Sequence, residues 1–295
     1  MKTLVVGATG LLGHDICRRL TEAGRPVRAL VRRTSDQARR AELERLGVEL
    51  VEGDLKDHAS LARACTGVQS VVSTASSTFS RQPGDSIESV DRSGQLALVD
   101  AARTAGVEHV VYISFRENPT IQYPLTAAKR DVEHALKASG MDYTIIQASY
   151  FMEIWLTPAL GFDVANGKVR LYGDGRRPIS WISYRDVARA AAGATTGPGV
   201  RNMVVELGGP QALSLREVVR LFEASGAGEI ATESVPESAL EAQMDAATDP
   251  LQKSFAGLML QCARGDAIDM TTSHRLFPFQ MTSVRDYITA QLSQA

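Results

Sequence analysis

The first stretch of this 295-residue chain that could do chemistry is the run Gly7-Ala8-Thr9-Gly10-Leu11-Leu12-Gly13. Gly7 allows a tight turn after a strand, Gly10 lets a pyrophosphate approach the backbone, and Gly13 lets a helix pack closely on a sheet. The free N–H groups in the first turn of that helix would face the phosphates. The pattern predicts dinucleotide binding, and an ordinary strand-to-helix turn is the alternative.

Two adjacent arginines, Arg32 and Arg33, follow the predicted second strand, Val27 to Val31. NAD-binding proteins place an Asp or Glu in this region, where it accepts a hydrogen bond from the ribose 2′-hydroxyl. Guanidinium groups are instead suited to bidentate binding of a 2′-phosphate. The pair therefore predicts NADP(H) as the cofactor, and a solvated basic pair at the start of a loop is the alternative.

Two further strand ends carry residues that we assign to the cofactor. Asp54, followed by Leu55, lies just after the predicted third strand, where its carboxylate could accept a hydrogen bond from the adenine amino group. Asp is also common in plain turns, which leaves that alternative open. Ala75 and Ser76 follow the fourth strand and are small enough to leave room for the nicotinamide side of a dinucleotide.

Lys129 is the candidate catalytic residue, on a predicted helix from Pro124 to Ser139. At about 100° per residue it lies at the edge of the apolar stripe of this helix. It is either a cation near the cofactor or a snorkelling surface lysine paired with Glu133. Ser114, at the end of the fifth predicted strand, is a second candidate donor for the same chemistry.

Aromatic and methionine side chains are the candidates for the remaining contacts. They are Tyr150 and Phe151 for the cofactor and Phe79, Tyr123, Met152 and Trp155 for the substrate. Side chains of these types line apolar pockets. Packing between two lobes is the alternative for the stretch from Tyr150 to Trp155.

The elements that would carry these residues alternate between strand and helix six times. This alternation predicts an α/β fold with a doubly wound parallel Rossmann sheet and a smaller C-terminal substrate lobe.

A hairpin is predicted around Gly173-Asp174-Gly175, and Val204 to Leu207 is predicted as a further strand of the sheet. We divide the chain into an NADP-binding Rossmann domain (1–150), a crossover (151–178), a return to the Rossmann domain (179–207) and the substrate lobe (208–295). Helices are predicted in that lobe from Ser214 to Ala224, near Glu237 to Ala246, from Leu251 to Arg264 and from Ser283 to Leu292.

Composition limits the classes of function. Hydrophobic residues make up 44% and charged residues 22% of the chain, and the net charge is −2. No long block of like charge is present, which argues against broad nucleic-acid binding. The three cysteines, Cys17, Cys65 and Cys262, form neither a metal spacing nor a disulfide framework, and no metal site is predicted. The absence of a signal sequence and of any long apolar run predicts a cytoplasmic protein outside the membrane.

Together these motifs resemble the NmrA-like branch of the atypical short-chain dehydrogenase/reductases. The matching residues are the glycine run, Leu30-Val31-Arg32-Arg33, Gly53-Asp54-Leu55, Lys129, Tyr150-Phe151-Met152-Glu153 and Ile182-Ser183-Tyr184-Arg185-Asp186-Val187-Ala188. The resemblance covers roughly residues 1–210, and the rest matches only in general character. The main short-chain reductases use a Tyr four residues before the Lys, whereas this chain has Leu125 there. The resemblance therefore implies that the usual Tyr–Lys mechanism is absent.

The resemblance implies two classes of function. Quinone-reductase-like and isoflavone- or benzylic-ether-reductase-like members reduce small conjugated or aromatic compounds with NADPH, the latter relying on the lysine. Regulator-like members bind NADP(H) and report redox state. Ether-reductase-like members also tend to carry a basic residue one turn after the lysine. This chain has Glu133 at that position, which argues against benzylic ethers as its substrates. We expect an NADPH-dependent reductase of a small conjugated or aromatic carbonyl compound, quinone-like or enone-like. A redox sensor that acts through a protein partner is the alternative.

Overall fold

A computed structural model describes residues 1–79 and 82–293 of the chain. It contains two compact units, each built from three stretches of chain. The first unit comprises Met1–Phe115, Pro124–Ile146 and Val187–Val205, and the second comprises Arg116–Tyr123, Gln147–Asp186 and the chain from residue 206 onward. The functional division that we predict at residues 150, 178 and 207 stays a prediction.

The largest sheet has seven strands, and its core is built from short apolar segments. These strands are β1 (Thr3–Val6), β2 (Val27–Val31), β3 (Glu49–Glu52), β4 (Ser70–Ser73), β5 (His109–Phe115), β6 (Asp142–Ala148) and β10 (Met203–Leu207). Their order is β10-β6-β5-β4-β1-β2-β3. β1 runs parallel to β2 and β4, β2 to β3, and β4 to β5. The predicted doubly wound Rossmann sheet is confirmed.

Twelve α-helices are found in the described parts of the chain. They are α1 (Leu11–Glu22), α2 (Gln37–Arg45), α3 (His58–Cys65), α4 (Ser93–Thr104), α5 (Pro124–Ala138), α6 (Met152–Trp155), α7 (Tyr184–Ala194), α8 (Leu215–Phe222), α9 (Glu237–Ala246), α10 (Pro250–Arg264), α11 (Thr271–Leu276) and α12 (Val284–Leu292). A π-helical segment, Ile87–Arg92, leads directly into α4. Short turns of other helical types lie at Pro158–Leu160, Val164–Asn166, Pro198–Val200 and Glu223–Ala227.

The starts of several helices follow from side chains that accept hydrogen bonds from first-turn amides. Asp57 accepts from the backbone N–H groups of Ala59 and Ser60 at the start of α3. Ser214 and Glu217 form a reciprocal capping box at the start of α8. α1 differs, because its N-cap is Gly10 and no side chain caps it.

The second unit contains two small sheets. One consists of β7 (Phe162–Asp163), β8 (Lys168–Tyr172) and β12 (Ala231–Val235), and the other of β9 (Pro178–Ile179) and β11 (Leu213–Ser214). The predicted hairpin around Gly173-Asp174-Gly175 is wrong, because β8 pairs with β7 and β12 whereas β9 pairs with β11. The chain does turn there, with Gly173 and Gly175 at φ of 66° and 67°. The strands on either side of the turn belong to different sheets.

No helix within residues 1–79 and 82–293 is long and apolar enough to span a membrane. Over the same residues, no group of three or more His, Cys, Asp or Glu side chains is arranged to hold a metal ion. Cys17, Cys65 and Cys262 are all buried as free thiols.

Candidate functional site

The glycine turn between β1 and α1 is packed so tightly that two of its positions exclude any side chain. Gly7 has a φ of 87°, and a Cβ placed there would lie 2.6 Å from Thr74 Oγ1 and 2.9 Å from the Ala75 amide nitrogen. A Cβ at Gly13 would lie 2.2 Å from the carbonyl oxygen of Gly7. All three distances are shorter than van der Waals contact, so these glycines bring the turn against the end of β4 and the helix against the turn.

Gly10 is glycine for a different reason. A Cβ there would meet only the Gly7 carbonyl oxygen, at 3.4 Å, so the protein itself leaves room for a side chain. As the N-cap of α1, Gly10 offers no capping group, and the first turn carries no acidic residue. The backbone N–H groups and the dipole of a helix start favour an anion at this place. Of the other residues in the run, Ala8 and Leu12 are buried, Thr9 is half-buried and Leu11 is exposed.

The two arginines after β2 lie in different surroundings. Arg32 Nη1 lies 2.6 Å from Asp85 Oδ2, and Lys56 Nζ lies 2.5 Å from the other oxygen of the same carboxylate. The side chain of Arg33 is 87% exposed, and its Nε lies 3.0 Å from Glu52 Oε1. Sequence reasoning missed Lys56 and Asp85, because Asp85 lies 53 positions from Arg32 and no local pattern places it there.

The same edge of the sheet carries four more residues assigned to the cofactor, Asp54, Leu55, Ala75 and Ser76. Asp54 is half-buried and accepts a hydrogen bond from the Lys56 amide at 2.9 Å, whereas Leu55 is buried. Ala75 and Ser76 are half-buried just after β4, and the Ala75 carbonyl accepts a hydrogen bond from a glutamine of α4. Their contacts with a cofactor stay predictions. Phe79, assigned to the substrate, is 60% exposed.

Lys129 lies on the buried side of α5. Only 8% of the residue is exposed, and Nζ donates a hydrogen bond to the carbonyl oxygen of Ile113 at 3.1 Å. Its ammonium also lies 5.1 Å from the centre of the Tyr112 ring, within the range of a cation–π contact. This burial rules out the interpretation of Lys129 as a surface lysine.

Two buried acids act electrostatically on the Lys129 ammonium. Glu133 accepts hydrogen bonds from Ser114 Oγ at 2.5 Å and from Arg130 Nη2 at 2.6 Å. Asp91, in the π-helical segment before α4, is fully buried and accepts from the amide and hydroxyl of Ser77 at 3.0 and 2.6 Å. Its other oxygen, Oδ1, has no hydrogen-bond partner among the described residues.

The charges around Lys129 act in opposite directions. Burial lowers the pKa of Lys129 below its ordinary value, Asp91 and Glu133 oppose that shift, and the nearby Arg130 adds to it. A lowered pKa makes the ammonium a stronger acid, and therefore a better proton donor near neutral pH. Asp91 was missed by sequence reasoning. It lies 38 positions from Lys129, and no local pattern indicates that its charge acts on that lysine.

Apart from Phe79, the aromatic candidates lie in the second unit, where two of them, Tyr150 and Trp155, contact each other. Tyr150 donates to the carbonyl of Leu258 at 3.0 Å, and its ring centre lies 4.6 Å from that of Trp155. Met152 is fully buried, whereas Phe151 and Trp155 are half-buried. Tyr123 is buried and donates to Gln261 Oε1 at 3.0 Å. Their assignment to cofactor and substrate stays a prediction.

A seven-stranded sheet in this order, with a glycine turn between β1 and an uncapped α1, defines a Rossmann-fold protein. The chain belongs to the NmrA-like family, which it matches over residues 1–288. The predicted resemblance is confirmed, and the match extends beyond residue 210 into the region where the sequence motifs were weak.

Similar proteins include both enzymes and an assembly factor. The chain is 35% identical over 216 residues to (4-alkanoyl-5-oxo-2,5-dihydrofuran-3-yl)methyl phosphate reductase of Streptomyces griseus, covering 72% of this chain and 70% of that protein. It is 33% identical over 223 residues to NAD(P)H azoreductase of Xenophilus azovorans, covering 75% and 73%. It is 30% identical over 224 residues to a photosystem II assembly factor of Cyanophora paradoxa, covering 76% and 68%.

A solved structure extends the likeness of fold to nearly the whole chain. The NADPH-dependent quinone oxidoreductase of Escherichia coli, in its complex with NADPH, superposes with a TM-score of 0.80 over 98% of this chain and 99% of that chain. The two sequences are 22% identical over this match, so the likeness concerns the fold.

Proposed function

We propose that this chain is an NADPH-dependent reductase of a small conjugated or aromatic carbonyl compound, quinone-like or enone-like. One observation carries the proposal. A buried ammonium, that of Lys129, is held by the Ile113 carbonyl at the carboxyl end of β5. Because β1, β4 and β5 are parallel, this is the edge of the sheet at which the glycine turn also lies.

The residues of this edge fit a dinucleotide. Gly7 and Gly13 close the turn, and Gly10 leaves the start of α1 open to a pyrophosphate. Arg32 and Arg33 would hold the 2′-phosphate, and Asp54 would accept a hydrogen bond from the adenine. The bound cofactor supplies a hydride. This fit supports NADPH over NADH, since a guanidinium stands in the region where an NAD-binding protein carries an acid.

Lys129 would stabilise the charge that reduction creates. A conjugated carbonyl that accepts a hydride becomes negatively charged on its oxygen, and a positioned ammonium lowers the barrier to that change. Asp91 and Glu133 oppose the lowering of the Lys129 pKa by burial, and so favour the charged form of the amine. Ser114 is the weaker candidate for a second donor, because its hydroxyl already donates to Glu133.

Two relatives support the class of acceptor. The name of the Streptomyces reductase describes a dihydrofuran ring whose double bond is conjugated with its 5-oxo group. The name of the Xenophilus enzyme describes reduction of azo compounds with NAD(P)H. Both acceptors are small and conjugated, and the same chemistry is proposed for this chain. Its cytoplasmic location and its lack of nucleic-acid partners stay predictions.

The test is oxidation of NADPH by the purified protein across a panel of quinones, enones and azo dyes. We expect steady turnover with at least one quinone or enone, and loss of that turnover in a Lys129→Met variant. NADPH that binds with micromolar affinity but is oxidised by none of the panel would contradict the proposal and favour the second candidate.

That second candidate is a redox-sensing NADP(H)-binding protein that acts through a protein partner. One comparison favours it, since a relative 30% identical to this chain is a photosystem II assembly factor. In this case the glycine turn and Arg32 would still bind NADP(H), but Lys129→Met would leave cofactor binding and partner binding unchanged. Partner capture that depends on the ratio of NADPH to NADP⁺ would support it.

A further inference from the structure

Asp85 joins two cations that come from different strand ends. Its side chain is only 1% exposed, and it accepts hydrogen bonds from Arg32 Nη1 at 2.6 Å, Lys56 Nζ at 2.5 Å and the Gln82 amide at 3.0 Å. Burial raises the pKa of this carboxyl group, but the hydrogen bonds from Lys56, Arg32 and Gln82 outweigh it, and the pKa lies below its usual value. Asp85 is therefore a buried carboxylate shared by a guanidinium and an ammonium.

The strands explain why these two cations meet. β2 and β3 are parallel neighbours whose last residues, Val31 and Glu52, are paired. Arg32 follows β2 directly, and Lys56 lies four residues beyond the end of β3. Both side chains therefore extend from the same edge of the sheet, where a phosphate bound by Arg32 would also lie within reach of Lys56.

We infer that Lys56 is a second cation of the 2′-phosphate site and that Asp85 sets how strongly this site prefers NADPH. This inference rests on the proposed function. A phosphate monoester carries about 1.5 to 2 negative charges near neutral pH. Arg32, Lys56 and Asp85 together carry one net positive charge. The carboxylate of Asp85 and that of Asp54, whose Oδ2 lies 3.9 Å from Lys56 Nζ, repel the phosphate that the two cations attract.

Arg33 provides a useful contrast. Its side chain is 87% exposed and its partner Glu52 is 47% exposed, whereas those of Arg32 and Lys56 are 24% and 30% exposed. Charges in contact with water are screened by solvent and salt, so an exposed guanidinium adds less to phosphate affinity than a half-buried cation does. We expect Lys56 to contribute more to the choice of cofactor than Arg33.

The experiment is a binding titration of NADPH and NADH against four variants. Lys56→Gln should weaken NADPH binding about tenfold and leave NADH binding within about twofold. Arg33→Gln should weaken NADPH binding by less than Lys56→Gln. Asp85→Asn removes the negative charge and keeps an acceptor, and it should tighten NADPH binding several-fold with no change for NADH. Lys137→Gln is the matched control, since Lys137 is exposed in the last turn of α5.

The outcomes separate this inference from the function on which it rests. Wild-type protein that binds neither dinucleotide would overturn the proposed function and this assignment with it. Wild-type protein that prefers NADPH, with the preference unchanged in Lys56→Gln, would overturn the role of Lys56 alone. A weaker preference for NADPH in Asp85→Asn, with NADH binding intact, would overturn the role of Asp85. If Asp85→Asn does not fold, Lys56→Gln still tests the second cation, because the Lys56 side chain is 30% exposed and its replacement creates no buried cavity.

Discussion

Ser114 donates its hydroxyl hydrogen to Glu133, and the two oxygens lie 2.5 Å apart in the first unit. Glu133 is 3% exposed, although it lies only one turn after Lys129 on α5. The helix therefore turns an acid and an ammonium toward the end of β5. Glu133 is therefore buried together with Lys129, and the two do not form a solvated ion pair on the outer face of the helix.

Lys129→Met should lower kcat at least tenfold while NADPH still binds. The substitution keeps most of the side-chain volume and removes the ammonium that would stabilise the developing negative charge. Steady-state kinetics on a proven acceptor, together with a cofactor titration, measures both effects. A variant that loses cofactor affinity with an unchanged kcat would make Lys129 a ribose-binding residue, and turnover like that of the wild type would exclude both roles.

The dependence of kcat on pH should show the lowered pKa of Lys129. If the protonated amine is needed, kcat falls as pH rises through this pKa, at a pH below the ordinary 10.5. The carboxylate of Glu133 raises the pKa of Lys129, so Glu133→Gln should move this fall to lower pH. Profiles of kcat against pH for the wild type and for Glu133→Gln measure the direction of this shift. A shift toward higher pH in Glu133→Gln would contradict the assignment.

Arg32→Ala should weaken NADPH binding about ten- to a hundredfold, which corresponds to about 1.5–3 kcal/mol for a charge-assisted hydrogen bond. NADH has no 2′-phosphate, so its affinity should change little. Arg45→Ala is the matched control, because Arg45 is an exposed arginine in the last turn of α2. Equal losses for the two cofactors in Arg32→Ala would show that this guanidinium does not read the 2′-phosphate.

Gly10→Ala and Gly13→Ala should separate binding from folding. A Cβ at Gly13 would lie 2.2 Å from the Gly7 carbonyl oxygen, so Gly13→Ala should lower the free energy of unfolding by about 1–3 kcal/mol or more. A Cβ at Gly10 meets only one atom, at 3.4 Å, so Gly10→Ala should change stability by less than about 1 kcal/mol yet weaken dinucleotide binding. Denaturant titrations measure the free energy of unfolding of each variant, and its increase when NADPH is added measures NADPH binding. Intact NADPH binding in Gly10→Ala would place the pyrophosphate elsewhere.

His109 should make the protein less stable in acid. Its ring nitrogen Nε2 lies 2.9 Å from Thr144 Oγ1. Burial and the charge of Arg201 lower the pKa of His109 from 6.5 to about 4, and the charge of Asp142 only partly offsets them. Between these two values the unfolded chain binds a proton that the native protein does not, so stability is lost as pH falls from 6.5 toward about 4. The free energy of unfolding should fall less steeply over this range in His109→Gln. Identical slopes would contradict the prediction.

Local patterns were sufficient for the first half of the fold. The predicted strand Val27–Val31 matches β2, because a short apolar run bounded by basic residues is typical of a strand buried on both faces of a sheet. β12 was missed because its residues, Ala231–Val235, are mostly exposed and polar. Its partner β8 starts 63 positions earlier, at Lys168, and no sequence pattern specifies that pairing.

The candidate site was predictable where one segment defines it. The glycines and Arg32 are specified by their spacing from a strand end, so the sequence alone gives their positions in the fold, and their contacts with a cofactor stay predictions. Asp85 and Asp91 meet their partners through separate segments whose positions depend on packing. The sequence places Lys129 at the margin of the apolar stripe, which does not specify whether its side chain is buried or exposed. Its hydrogen bond to the Ile113 carbonyl shows that the side chain is buried.

The division of the first unit into three stretches of chain affects how the protein is made. β6, which ends at Ala148, pairs with β10, which begins at Met203, 55 positions later. At about 5–20 residues per second, a ribosome takes about 3–11 seconds to synthesise this interval. During that time β6 is an unpaired edge on the nascent chain, and such edges recruit other strands. Chaperone demand during synthesis should therefore peak before residue 203 emerges.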